Sequence, residues 1–121
     1  MDIKSLYTSE SHEQGAEMQV IGPDGKKLDC YITLVGTDSK RWREIVRTKM
    51  RKMLSDDTDD DSSELLASAS IDWRGFESDG KELKFSKEAI ASLFKNAPYI
   101  SDQADRFIAN RANFTKSSVK K

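Results

Sequence analysis

The sequence predicts an α+β fold: an N-terminal β-hairpin, then a long basic amphipathic helix, then a mainly helical C-terminal half. Three observations carry that prediction. Met18, Val20, Leu28, Cys30, Ile32 and Leu34 recur at a spacing of two on either side of Gly22-Pro23-Asp24-Gly25, the pattern of two half-buried strands and a tight turn. From Lys40 to Leu54 the apolar residues recur at helical spacing among seven basic side chains. After residue 61, the apolar clusters are short and helix-spaced, punctuated by Ser86 and Pro98.

The elements follow in order. Residues 1–16 are polar and aperiodic and read as a flexible arm, with Ile3, Leu6 and Tyr7 able to form one apolar turn. The hairpin spans about 17–21 and 27–35. Pro23 presets φ for the first corner of its turn, and Gly25 supplies the positive φ that closes it. Tyr31 and Val35 fall on the opposite phase of the second strand, so its outer face is expected to be partly covered. Gly36-Thr37-Asp38-Ser39 ends the strand and offers caps for the helix at 40–54. On that helix Trp42, Ile45, Val46, Met50, Met53 and Leu54 form one face, with Lys49 projecting into the stripe and snorkelling along its stem.

Residues 55–63 hold five aspartates and no apolar group and read as an acidic loop. A short helix follows at 64–69. Ile71, Trp73 and Phe76 read as a small aromatic cluster, and Leu83 and Phe85 share one face of an extended piece. Ser86 is a good N-cap for a helix to about Asn96, with Ala89, Ile90, Leu93 and Phe94 inward. Pro98 suits the first turn of the last helix, about 98–113. There Ile100, Ala104, Phe107 and Ile108 share a stripe that Arg111 extends by one turn. Residues 115–121 form a basic tail, and 17–114 form one domain.

Composition narrows the function. The chain has 121 residues, a single cysteine and a single histidine, and a formal net charge of −1. One domain of this size builds its core without disulfides or a structural metal. Cys30 lies on the apolar phase of a strand and reads as a small core hydrophobe, and His12 falls in the polar arm. No nucleophile elbow, phosphate loop or dinucleotide-binding glycine pattern is present in the sequence. The aspartate run lacks the glycine and terminal glutamate of a calcium loop. No catalytic, cofactor or metal site is therefore expected, and no run is long and apolar enough to span a membrane or act as a secretory leader. Charge is uneven: residues 40–54 carry seven basic side chains and one acidic, and residues 55–80 carry one basic and nine acidic. The basic helix admits a nucleic-acid reading. Trp42 sits on its apolar face and aspartates follow at once, so that reading is the weaker one.

The second half has a recognisable order of parts: Trp73-Arg74-Gly75-Phe76, Leu83-Lys84-Phe85-Ser86, Asn96-Ala97-Pro98-Tyr99-Ile100, Asp102-Gln103, and the close Asn110-Arg111-Ala112-Asn113-Phe114. With the Pro-Asp-Gly hairpin and the Gly-Thr-Asp-Ser entry to an arginine-rich helix, it resembles the tail assembly chaperones and related small tail proteins of long-tailed bacteriophages, over about 17–114. The resemblance implies a non-enzymatic protein of the host cytoplasm. Such a protein binds the tape measure protein, keeps its apolar stretches in solution and helps recruit major tail subunits. A structural minor tail or head–tail connector subunit of the virion, and a nucleic-acid-binding accessory protein, are the alternatives. A homo-oligomer stays open. The candidate partner-binding residues are Trp42, Ile45, Val46, Lys49, Met50 and Met53 on the first helix, and Ile100, Phe107, Ile108 and Arg111 on the last. Lys49 and Arg111, charges set on apolar stripes, mark the expected edges of the surface.

Overall fold

A computed structural model describes residues 1–54 and 62–115. It is α+β, as the sequence predicts. A 3-10 turn over Ile3–Leu6 leads to a short helix α1 (Ser9–Gln14). The hairpin follows as β1 (Ala16–Ile21) and β2 (Lys27–Leu34), then α2 (Lys40–Leu54), α3 (Ser62–Ala69) and a third strand β3 (Ser70–Arg74). A two-residue-per-arm hairpin, β4 (Glu77–Ser78) and β5 (Lys81–Glu82), precedes α4 (Lys87–Asn96), α5 (Pro98–Ala109) and a last 3-10 turn over Arg111–Phe114.

The main sheet is antiparallel with order β1-β2-β3. Period two sorts its faces. Met18, Val20, Cys30, Ile32 and Leu34 point inward and are buried, and Trp73 sits beside Ile32 in register. Leu66, Ile90, Phe94, Ile100, Ala104 and Ile108 from α3, α4 and α5 close the core over that face. Burying these side chains is the main stabilising term, about 1.5–3 kcal/mol for each large one. The other face is polar. There Arg74 binds Glu17 at 2.7 Å and lays its guanidinium 3.8 Å over the Tyr31 ring.

Four details differ from the sequence reading. The aromatic cluster at 71–76 is built on a strand: β3 pairs with β2, and a register shift near Leu34 turns Ser70 and Trp73 inward while Ile71 is only half-buried. Val35 is buried although it is out of phase, because the strand ends at Leu34 and the Val35 N–H bonds the Ala69 carbonyl. Leu28 is in phase yet exposed, lying at the start of β2 beyond the helices. The last helix stops at Ala109, because Asn110 takes an extended conformation and its side chain accepts from the Ala112 N–H. The caps at Ser86 and Pro98 are as the sequence predicts. The acidic stretch at 55–61 and the tail at 116–121 lie outside the described residues.

Trp73 ties the small hairpin to the sheet. Its indole N–H donates to the Leu83 carbonyl at 2.9 Å, and its ring meets Phe76 at 4.4 Å and Phe85 edge-on at 5.7 Å. Gly75, at φ 86°, turns the chain here, where a Cβ would run into the Asp29 carbonyl. Trp73→Ala is expected to cost about 3–5 kcal/mol, read as a fall in the urea unfolding midpoint at unchanged slope.

Candidate protein-binding site

The residues at 8–16 are not a free arm. His12 is only 1% exposed. It packs against Phe114 at a ring distance of 4.9 Å and lies over Gly36, which has no room for a Cβ. Its Nδ1 accepts the Asp38 N–H at 3.0 Å, so that nitrogen carries no proton. The Asp38 carboxylate accepts from Thr8 at 2.6 Å and receives Arg111 through both Nε and Nη2. Its pKa is held down to about 2, first by the Arg111 hydrogen bonds and then by Thr8. Arg111 is therefore not the edge of an apolar stripe; it clamps the C-terminal turn to the start of α2. Of the expected arm, His12, Gly15 and Ala16 are buried and Met1–Glu10 stays exposed.

This cluster fixes the base of α2. The Ser39 hydroxyl accepts the Trp42 N–H at 3.0 Å, and the Glu13 carboxylate accepts the N–H groups of Lys40 and Arg41. Two acidic groups, Glu13 and Asp38, thus stand at the positive end of the helix dipole. Arg41 reaches the Ser68 carbonyl at 2.8 Å and ties the first turn to α3. Beyond that turn exposure rises towards Leu54. None of its fifteen residues is buried. Trp42 and Ile45 lean half-buried on the core, and Val46 and Lys49 are half-buried as well. Met50, Met53 and Leu54 are 60%, 67% and 87% exposed.

The two predicted partner-binding helices therefore part company. Ile100 and Ile108 on α5 are core residues, 4% and 1% exposed, and do not offer a surface. Phe107 is half-buried against Phe114. The stripe of α5 was legible, but it packs on the sheet and on α4 of the same chain. On α2, Val46, Met50 and Met53 remain available, and Leu54 is the most exposed of all. The expected surface thus reduces to one helix.

Other sites carry less. A groove of about 360 Å³ beside β1 is lined by Met18, Ile21, Gln103 and Phe107. Its strand edge is already occupied, since the Gln103 carboxamide bonds both the N–H and the carbonyl of Ile21 at 2.9 and 2.7 Å. Cys30 is buried, and burial pushes its thiol pKa up, which disfavours the reactive thiolate. Among the described residues no group of three or more acidic, histidine or cysteine side chains is placed to hold a metal ion, and no helix is long and apolar enough to cross a membrane. Set against known proteins, the chain matches no family model, no curated protein and no solved structure.

The His12–Asp38 geometry sets a pH response. Burial lowers the His12 pKa, opposed by Asp38 and assisted by Arg111. The unfolded chain takes up a proton near pH 6.5 and the folded chain resists it, so stability is full above that pH and declines as pH falls below it. Asp38 adds a second loss on the way from its ordinary 3.8 down to about 2. His12 is the only histidine, so His12→Gln is expected to flatten the change in urea midpoint between about pH 7 and 5.5, where unperturbed carboxylates are still ionised. Asp38→Ala is expected to cost about 1–2 kcal/mol at pH 7, read as a lower urea midpoint, because it removes the hydrogen bonds of the exposed Thr8 and Arg111 side chains while the backbone N–H of residue 38 still reaches His12.

Proposed function

We propose that this chain is a non-enzymatic holding protein that binds apolar helical segments of another protein reversibly, as a tail assembly chaperone of a long-tailed phage does for the tape measure protein. The observation that carries the reading is the exposed apolar group at the C-terminal end of α2, where Met50, Met53 and Leu54 face solvent on a helix that buries no residue. Exposed large apolar side chains grouped on a helix rimmed by charge suit helix-on-helix docking, and methionine adapts to differing partners. The phage-tail identity of the partner rests on the resemblance in the order of motifs.

The magnitudes favour transient binding. Covering a large apolar side chain completely is worth about 1.5–3 kcal/mol, and association costs about 4–15 kcal/mol. Three partly exposed side chains therefore give a weak contact that releases its client, which suits a protein that must hand a segment on during assembly. Co-expression is expected to keep an aggregation-prone tape measure fragment in the soluble fraction. The double variant Met53→Ser, Leu54→Ser is expected to lose most of that effect while keeping its circular dichroism spectrum. Equal precipitation of the fragment with and without the protein would refute the reading. Stoichiometric retention of the protein in purified virions would replace it with a structural tail subunit.

A further inference from the structure

On α2 two rows of side chains run side by side at a spacing of four. Val46, Met50 and Leu54 form an apolar ridge, and Arg43, Arg47 and Arg51 form a basic ridge along its flank. Rows at i, i+4 are the ridges by which helices interlock. All three arginines are exposed. Among the described residues Arg47 pairs with Glu44, at 2.9 Å on an open surface where solvent screens the pair and leaves it weak. Neither Arg43 nor Arg51 makes an ion pair with a described residue. We infer that the occupant of this face is an acidic amphipathic helix from another protein, with its own apolar ridge flanked by glutamate or aspartate at the same spacing. The inference rests on the holding function proposed above and adds the charge of the client.

Charge excludes the simplest rival. A second copy of α2 would bring seven basic side chains and one acidic against an identical set, and like charges across an interface oppose docking. Nucleic acid would meet the arginine ridge but leave Met50 and Leu54 against phosphates and water. An anionic membrane surface would take both ridges only if the helix could lie flat. Its first turn, however, is tied to α3 through Arg41 and Ser68 and capped by Glu13. Trp42, the residue best suited to the lipid interface, is half-buried against the core.

The test uses the full chain and three fluorescein-labelled synthetic helices that share a leucine ridge and differ only in the flanking row: glutamate, glutamine or lysine. At low salt the glutamate helix is expected to bind about tenfold more tightly than the glutamine helix, as three exposed charge pairs allow. The lysine helix is expected to bind least. The gap should close as salt shortens the screening length from about 10 Å at 0.1 M towards about 3 Å at 1 M. Arg43→Gln, Arg47→Gln, Arg51→Gln together should erase the glutamate preference, and Arg106→Gln, an exposed cation on another helix, should keep it. Met50→Ser with Leu54→Ser should weaken all three helices. Equal binding of the glutamate and glutamine helices overturns the acidic assignment and leaves the holding function standing. Failure of all three helices to bind overturns both. Tighter binding to vesicles of phosphatidylcholine with 30% phosphatidylglycerol, or to a 20-base-pair DNA duplex, than to the glutamate helix overturns the inference in favour of that surface.

Discussion

The carboxylate of Asp38 is the constraint on which the rest of the structure depends. It gathers Thr8 and Arg111, and the main-chain N–H of the same residue holds the imidazole of His12. Three segments distant in sequence meet there: α1 with its N-cap Thr8, the turn into α2 and the last 3-10 turn. A charge-assisted cluster of this kind is costly to leave half-made at its shielded members, His12 and Asp38, which have given up most of their water to join it. Its completion places Glu13 at the N-terminus of α2 and Phe114 over His12. The short helix α1 and the last 3-10 turn are thereby fastened at the foot of α2.

That arrangement explains how one helix can be both firmly aimed and poorly buried. A helix of fifteen residues is marginal in water by itself. Here its base is capped, tied to α3 and leaned on the core by Trp42 and Ile45, and helix propagation carries the order outward into turns with few tertiary contacts. α5 shows the opposite solution. Its stripe of Ile100, Ala104 and Ile108 finds the inner face of the sheet and α4 and is consumed in the core. Two helices with comparable amphipathic patterns thus divide the work, one making the fold and the other presenting apolar side chains to solvent.

The exposed apolar end of α2 is a liability as well as a surface, because such patches promote indiscriminate association. The arginine ridge along its flank tempers that liability. In the function proposed above it keeps copies of the chain apart by repulsion and grades clients by the charge beside their apolar ridge. Specificity of this sort comes from the disfavoured contacts as much as from the favoured ones.

Periodicity was sufficient for the hairpin, for α2 and for the caps at Ser86 and Pro98, because these are set by neighbours within a few residues. The strand at 70–74 was harder to see. A register shift breaks its alternation, so Ile71 and Trp73 looked like a cluster without an element. His12 was beyond local reading altogether: the residues that enclose it lie 24 and more positions away, and a histidine in a polar stretch carries no local sign that Phe114 and Gly36 will close over it. Arg111 misled for the same reason, since its helical phase matched an apolar stripe while its true partner, Asp38, stands 73 positions earlier. By itself the sequence determined where the hairpin strands and the helices α2, α4 and α5 form and which face of each is apolar, since those follow from short-range spacing. Only the tertiary structure decided that the face of α5 is spent inside the molecule and that of α2 is left outside, because burial depends on which surfaces meet across the whole chain.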